Sequence, residues 1–345
     1  MKTSCFCGTL ARGSLIAIGL AALSFTVPWV ALAQRPPAIS NPADRVHQPI
    51  LFFTPQADAI LRDLQVFPAD HPFNLAVDQW PLHELSDQIV ASIGTDKPLR
   101  ANRDMSFVLV PPNQPRIPVK IVDYPDESDP GPYPIPDNIP IEGWPDESGN
   151  GDAESLARVQ IRPAKYESDR HAIVVDPVNR MLYEFFTFGR TPDGWAAGQA
   201  SLFDLNTNAV RPAGWTSADA AGLPIFPAVV RFDEIERGEI RHAMRVTVRR
   251  TRRAYVHPAT HFASSLNDPD LPRMGERLRL RHDFDLSGFS PAARTILKGL
   301  KKYGMLVADN GIEWAISIAP DPRIPILHEE LRRVRGSDFE VVVTP

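Results

Sequence analysis

Apolar residues in this chain fall mostly in short runs broken by proline, glycine, asparagine and aspartate, the pattern of strands separated by turns. The runs at Met105–Val110, His171–Asp176, Met181–Phe188 and Ser201–Leu205 predict strands, as do Met244–Arg250, Ala254–His257 and Arg277–His282. Met305–Ala308, Trp314–Ile318 and Phe339–Val343 complete the set. Helical spacing is rarer. Ser290 caps and Pro291 opens a helix over Pro291–Tyr303 whose apolar face is Ile296, Leu297, Leu300 and Tyr303 and which Gly304 ends. A second helix is expected over His83–Ile93, stopped by Gly94, and a short one over Asp233–Ile240. Many short strands and few helices predict a mostly β fold, a β-sandwich or jelly-roll-like domain with a few short helices.

Between Pro111 and Pro145 stand eleven prolines, which remove amide donors and exclude this stretch from a central strand. Tyr124, Tyr133, Ile135 and Trp144 within it predict a segment packed down over a surface. Residues 146–170 are polar and lack an apolar period, which predicts a mobile insert dispensable for folding. Lys2 and Arg12, an apolar run from Leu15 to Val30 and Ala31-Leu32-Ala33 form a cleavable export signal over residues 1–33. Residues 34–65 then read as a lead-in or tether, and 66–345 as a single β-rich domain.

Export changes the reading of composition. Cys5 and Cys7, the chain's 2 cysteines, both precede the apolar run, so the mature protein has neither disulfides nor thiol chemistry. Loss of Lys2 and Arg12 moves the formal charge from −5 to −7, which argues against nucleic acid as a partner. The mature chain has no candidate membrane span and is expected to be secreted or periplasmic.

Among candidate chemical groups, the segment Gly214–Gly222 sets Trp215, two hydroxyls and Asp219 among small residues, suited either to a ligand or to capping a short helix. Cleavage of a glycosidic bond needs a second carboxyl group; Glu234, Glu239 and Asp309 are the candidates, although Asp309-Asn-Gly is also turn composition. Arg245, Thr247 and Arg249 alternate onto one side of a strand, and Arg277, Arg279 and Arg281 onto one side of another. With Arg241 they suit either a groove for an anionic polymer or pairing with the excess of acids. His242 as base with Tyr255 as proton donor would suit β-elimination in an acidic glycan. His257 and His261 have a spacing used by metal ligands, and Asp126, Glu127 and Asp129 a composition suited to calcium, but neither makes a full set, so no metal site is assigned. The sequence indicates no particular cofactor. Signatures of serine hydrolases, nucleotide enzymes and zinc proteases are missing.

Long strings, Asp126-Glu-Ser-Asp-Pro-Gly-Pro-Tyr-Pro-Ile-Pro, Thr216-Ser-Ala-Asp-Ala-Ala-Gly-Leu-Pro-Ile, Arg241-His-Ala-Met-Arg, Leu271-Pro-Arg-Met-Gly and Tyr303-Gly-Met-Leu-Val-Ala-Asp-Asn-Gly, resemble a family of exported bacterial proteins without assigned activity. The resemblance implies an extracellular location and transfers no catalytic residue. The expectation from the residues is an exported polysaccharide hydrolase with Asp219 and Glu234 as its acids. A lyase acting on an acidic glycan and a non-catalytic glycan-binding or envelope protein are the alternatives.

Overall fold

The computed structural model describes residues 45–146, 149, 151–163 and 168–344, all within one compact unit. The expected export signal and the start of the lead-in lie outside the described residues, as do parts of the 146–170 insert. In chain order the elements are β1 (Ile50–Leu51), α1 (Pro55–Asp63), α2 (Ser86–Ile93), β2 (Arg100–Arg103), β3 (Val108–Leu109), β4 (Val119–Ile121) and α3 (Ala153–Gln160). There follow β5 (Ala172–Asp176), β6 (Met181–Phe186), β7 (Gly189–Thr191), β8 (Gly194–Ala197), β9 (Gln199–Asp204) and α4 (Phe232–Arg237). The last are β10 (Met244–Val248), β11 (Arg277–Leu280), α5 (Pro291–Lys302), β12 (Met305–Asn310), β13 (Ala315–Ile318), α6 (His328–Leu331) and β14 (Phe339–Val342).

The strands form three open sheets, ordered β1-β3-β5-β6-β9, β14-β11-β12-β10-β13-β2 and β4-β8-β7. Each contains a parallel pair: β3 with β5, β10 with β12, β13 with β2, and β4 with β8. Strand at 23% against helix at 19% makes the fold mixed α/β, where the sequence predicted mostly β. The parallel pairs also depart from the antiparallel order of a jelly roll. Their cause is connectivity: β10 reaches its parallel neighbour β12 only after β11 and α5, the long crossover that parallel pairing requires.

α5 forms where the sequence places it. Ser290 Oγ accepts the Ala293 amide at 3.3 Å, Pro291 occupies the first turn, and Lys301 and Lys302 sit at the negative end of the helix dipole. Ile296, Leu297 and Leu300 pack with Met244, Val246 and Leu278 on one face of the six-stranded sheet, where Ile89 and Ile93 of α2 join them. Gly304 turns the chain at φ +64°, and a Cβ there would lie 2.2 Å from the Leu278 carbonyl oxygen, so only glycine fits.

The five-stranded sheet is covered on both faces. Tyr133, Ile135, Ile139 and Ile141 of the proline-rich strap pack on Val108, Val174, Tyr183 and Phe185. On the other face Ile173, Val175 and Leu182 meet Ile60 and Leu61 of α1 and Phe226. The described end of the lead-in is therefore core-forming: Thr54 caps α1 by accepting the Ala57 amide at 3.2 Å. In the insert, Leu156 is buried, Trp144 Nε1 donates to Ser155 Oγ at 3.0 Å, and Gln160 donates to the Asp137 and Ile139 carbonyls at 2.9 Å each. These bonds tie α3 to the strap. Among the described residues no helix is long and apolar enough to cross a membrane.

Strand alternation sends Met244, Val246 and Ile316 to the core under α5 and turns Arg245 and Thr247 to the opposite face of the six-stranded sheet. Thr247 pairs with Asp309 on one side and with Ala315 on the other, and Ala315 pairs with Arg100. This polar face carries the buried ion pair of Arg245.

Candidate functional site

Arg245 is buried, and its guanidinium makes a bidentate pair with the fully buried Asp219, Nε to Oδ2 at 2.9 Å and Nη2 to Oδ1 at 2.7 Å. Nη1 donates to Ser317 Oγ at 2.8 Å. Burial opposes the Arg245 charge, but the Asp219 carboxylate outweighs it and holds the guanidinium above its ordinary pKa. The loop carrying Asp219 is fixed from both ends. Ala218 N donates to Ser201 Oγ at 3.2 Å and Ala221 N to the Ala308 carbonyl at 2.9 Å. Gly222, at φ +73°, passes so close to Thr260 that a Cβ would fall 2.1 Å from its hydroxyl.

A second pair lies beside the first. His171 Nδ1 is 3.1 Å from Glu142 Oε2, and Nε2 is 2.9 Å from the Ala218 carbonyl oxygen. Both ring nitrogens face acceptors, which suits the doubly protonated imidazolium. Burial disfavours that charge, yet Glu142 overrides it and raises His171 to about 10. In return Glu142 is held below its ordinary value, against the opposing effect of burial.

Two further carboxyl groups have no such counter-ion of their own. Burial, then the charge of Asp219, pushes Asp309 up to about 7, with Arg245 pulling the other way. Burial, then Glu142, pushes Asp104 up to about 6, again against Arg245. One Asp104 carboxyl oxygen is buried without a hydrogen-bond partner, and Asp309 Oδ1 accepts only the neighbouring Asn310 amide at 2.6 Å. Both residues are half-buried. A fifth acid, Glu184, is fully buried and raised to about 7 by burial, but its oxygens are taken by the Ile225 and Phe226 amides. The arrangement is two internally neutral ion pairs and two carboxyls with raised pKa values, all acted on by the Arg245 charge.

The sequence candidates separate into this site and others. Asp219 and Asp309 belong to it; Asp219 caps no helix, and Asp309 lies inside β12 instead of in a turn. Glu234 and His242 form a different, closed cluster. His242 Nε2 is 2.9 Å and Arg231 Nη2 is 2.8 Å from Glu234 Oε1, and His242 Nδ1 donates to the Ala243 carbonyl at 2.9 Å. Arg241 is exposed and pairs with Glu239 at 2.8 Å. Arg277 is buried, with Nη2 donating to the Pro72 carbonyl at 2.7 Å, and Arg279 donates to Glu340 at 2.7 Å and to the Trp80 carbonyl at 3.0 Å. These two arginines clamp residues 72–80 to β11. Trp215 stands beside Arg211, 5.5 Å from its guanidinium, and Tyr255 stacks with Phe262 at 6.4 Å.

The acids considered for calcium are partly scaffold: Glu127 accepts the Thr216 amide at 2.7 Å, and Asp129 pairs with Arg211 at 2.5 Å. His261 Nδ1 contacts the Ala220 carbonyl at 2.8 Å, and among the described residues no three His, Cys, Asp or Glu gather to hold a metal. Sequence reasoning named none of Asp104, Glu142, His171 and Glu184, and passed over Arg245 as one member of a stripe. For Glu184 a signal existed, a lone carboxylate in the apolar run of β6.

No protein-family model, curated protein or solved structure matches this chain.

Proposed function

We propose that the chain is an exported carbohydrate-active hydrolase whose paired carboxylates are Asp309 and Asp104. The observation that supports the reading is two carboxyls, at half-buried Asp309 and Asp104, whose pKa values are raised by burial and lowered again by the one Arg245 charge that acts on both. Acid–base chemistry near neutral pH needs one carboxyl protonated and one ionised, which different environments achieve by separating their pKa values. Asp309, at about 7, is the proton donor to the departing glycosidic oxygen. Asp104, at about 6, accepts a proton from the attacking water. The glycosidic C–O bond breaks, the water oxygen bonds to the sugar carbon, and the two carboxyls exchange their protons with solvent to reset. Arg245 balances the negative charge that moves between them, and Asp219 and His171 hold the arginine and the site wall in place.

Reducing-end release from a panel of neutral and acidic polysaccharides tests this. The expected result is activity with a maximum between pH 6 and 7 and a loss of about 10²- to 10⁴-fold in folded Asp309→Asn. Folded wild-type protein that binds glycans without cleaving any would replace the hydrolase with a binding protein. New unsaturated ends absorbing in the ultraviolet would replace it with a lyase.

A further inference from the structure

The loop that leaves β10 carries the densest positive charge in an otherwise acidic chain: Arg249, Arg250, Arg252 and Arg253 within five residues. Arg249 is neutralised by Glu313 at 2.6 Å. The others have no carboxylate partner among the described residues. Arg250 is exposed and unpaired, Arg252 keeps a buried Nε without an acceptor, and exposed Arg253 lies 5.4 Å over the Phe262 ring. Phe262 in turn stacks with the half-exposed Tyr255.

Two sets of bonds tie this loop to the acid site. At its start Thr251 Oγ1 donates to Asn310 Oδ1 at 3.2 Å, next to Asp309. At its end Thr260 N donates to the Ala221 carbonyl at 2.9 Å, and Gly214 N to the Thr260 carbonyl at 2.7 Å, in the loop that holds Asp219. Across the sheet, in the same register row as Asp309 and Thr247, stands Arg100, half-buried and without a partner among the described residues. A loop bearing unpaired guanidinium groups and two stacked rings is thus tied to the segments that carry Asp309 and Asp219, and Arg100 shares the register row of Asp309.

We infer that Arg250, Arg252, Arg253 and Arg100, with Tyr255 and Phe262, form a binding platform for an acidic polysaccharide beside the strand that carries Asp309. Guanidinium forks match carboxylate and sulfate oxygens, the aromatic faces suit the apolar faces of sugar rings, and a local basic field draws in a polyanion despite the negative net charge. The inference names the substrate class for the proposed hydrolase and rests on that reading for its catalytic meaning, but binding is measured apart from cleavage.

The test is calorimetric titration of the full chain with an oligouronate, its methyl ester, a sulfated oligosaccharide, a neutral oligosaccharide and single-stranded DNA, at low and high salt. Wild type is expected to bind the carboxylated or sulfated chain with salt-sensitive affinity and the ester and neutral chains weakly; the two anionic arms distinguish carboxylate from sulfate. Arg250→Ser/Arg253→Ser, both exposed, is expected to fold normally and to bind about tenfold or more weaker, with a flatter salt dependence. Equal affinity for the neutral chain and the oligouronate, unchanged binding by the double variant, or tighter binding to DNA overturns the platform. Binding of the acidic glycan without cleavage keeps the platform and removes the hydrolase. Cleavage of a neutral glycan unaffected by the double variant does the reverse.

Discussion

Two buried clusters in this protein are built from the same parts and differ in what they leave unused. The Arg231 cluster has two arginines, Arg231 and Arg237, two acids and a histidine, and both oxygens of Asp233 and of Glu234 are engaged. Burial, outweighed by Arg231 and His242, leaves Glu234 ionised with a pKa of about 2. The Arg245 cluster also pairs arginine with aspartate and histidine with glutamate, but it adds Asp104 and Asp309 without counter-ions of their own. The first cluster is cement: it pins α4 to the start of β10 through Glu234 and His242. Buried charge alone therefore does not separate the two clusters; the carboxyl oxygens that one of them leaves without a donor do.

The largest expected effect tests the cement in both places. Arg245→Met leaves Asp219 as an uncompensated buried carboxylate and should cost about 3–5 kcal/mol in urea unfolding; Arg231→Met leaves Glu234 its His242 contact and Asp233 its Arg237 contact, and should cost less, about 1.5–3 kcal/mol. A loss below 1 kcal/mol at either position would mean that cluster is not sealed. Next come paired measurements that separate the clusters. Glu234→Gln should lower stability by about 3 kcal/mol while the folded fraction keeps its specific activity. Asp309→Asn should stay within about 1 kcal/mol of wild type yet lose the activity. The reverse outcome would move the site to the closed cluster.

A pH series sharpens the contrast further. The His171 pKa is raised from 6.5 to about 10, so the folded protein holds that proton more tightly than the unfolded chain. Its stabilisation is complete below pH 6.5 and declines as pH rises toward 10. Urea midpoints for wild type should fall over this window, and His171→Gln should flatten the curve; an unchanged slope would count against the His171–Glu142 pair. The smallest effect concerns Arg100. With no side-chain partner among the described residues to lose, Arg100→Met should change stability by less than about 0.5 kcal/mol, and a larger loss would reveal a structural role.

What could be read from the sequence was local. α5 carries its own cap, stop and periodicity, α2 its periodicity and the stop at Gly94, and β5, β6 and β9 their own apolar runs, so their positions follow within a few residues. Ala254–His257, expected as a strand, makes only a bridge from Tyr255 to Met274, because its loop is held by ties to the Asp219 and Asp309 segments. α1 had a readable start in Thr54-Pro55, which the tether reading passed over. The parallel pairing of β10 with β12 has no local signal, yet it is what sets Asp309 beside Thr247 and the Arg245 face. Asp104, Glu142 and His171 come from the ends of three separate segments. Their meeting depends on how the sheets and strap pack, which no spacing along the chain encodes.

The proline-rich strap bears on folding from the opposite direction, through the state the protein leaves behind. Its eleven prolines restrict the chain before any contact forms. Laying Tyr133, Ile135, Ile139 and Ile141 onto the five-stranded sheet therefore removes less backbone freedom than the same length of ordinary loop. An outer layer with few regular strand pairings can in this way be held by a handful of buried side chains, because most of its disorder was never available to be lost.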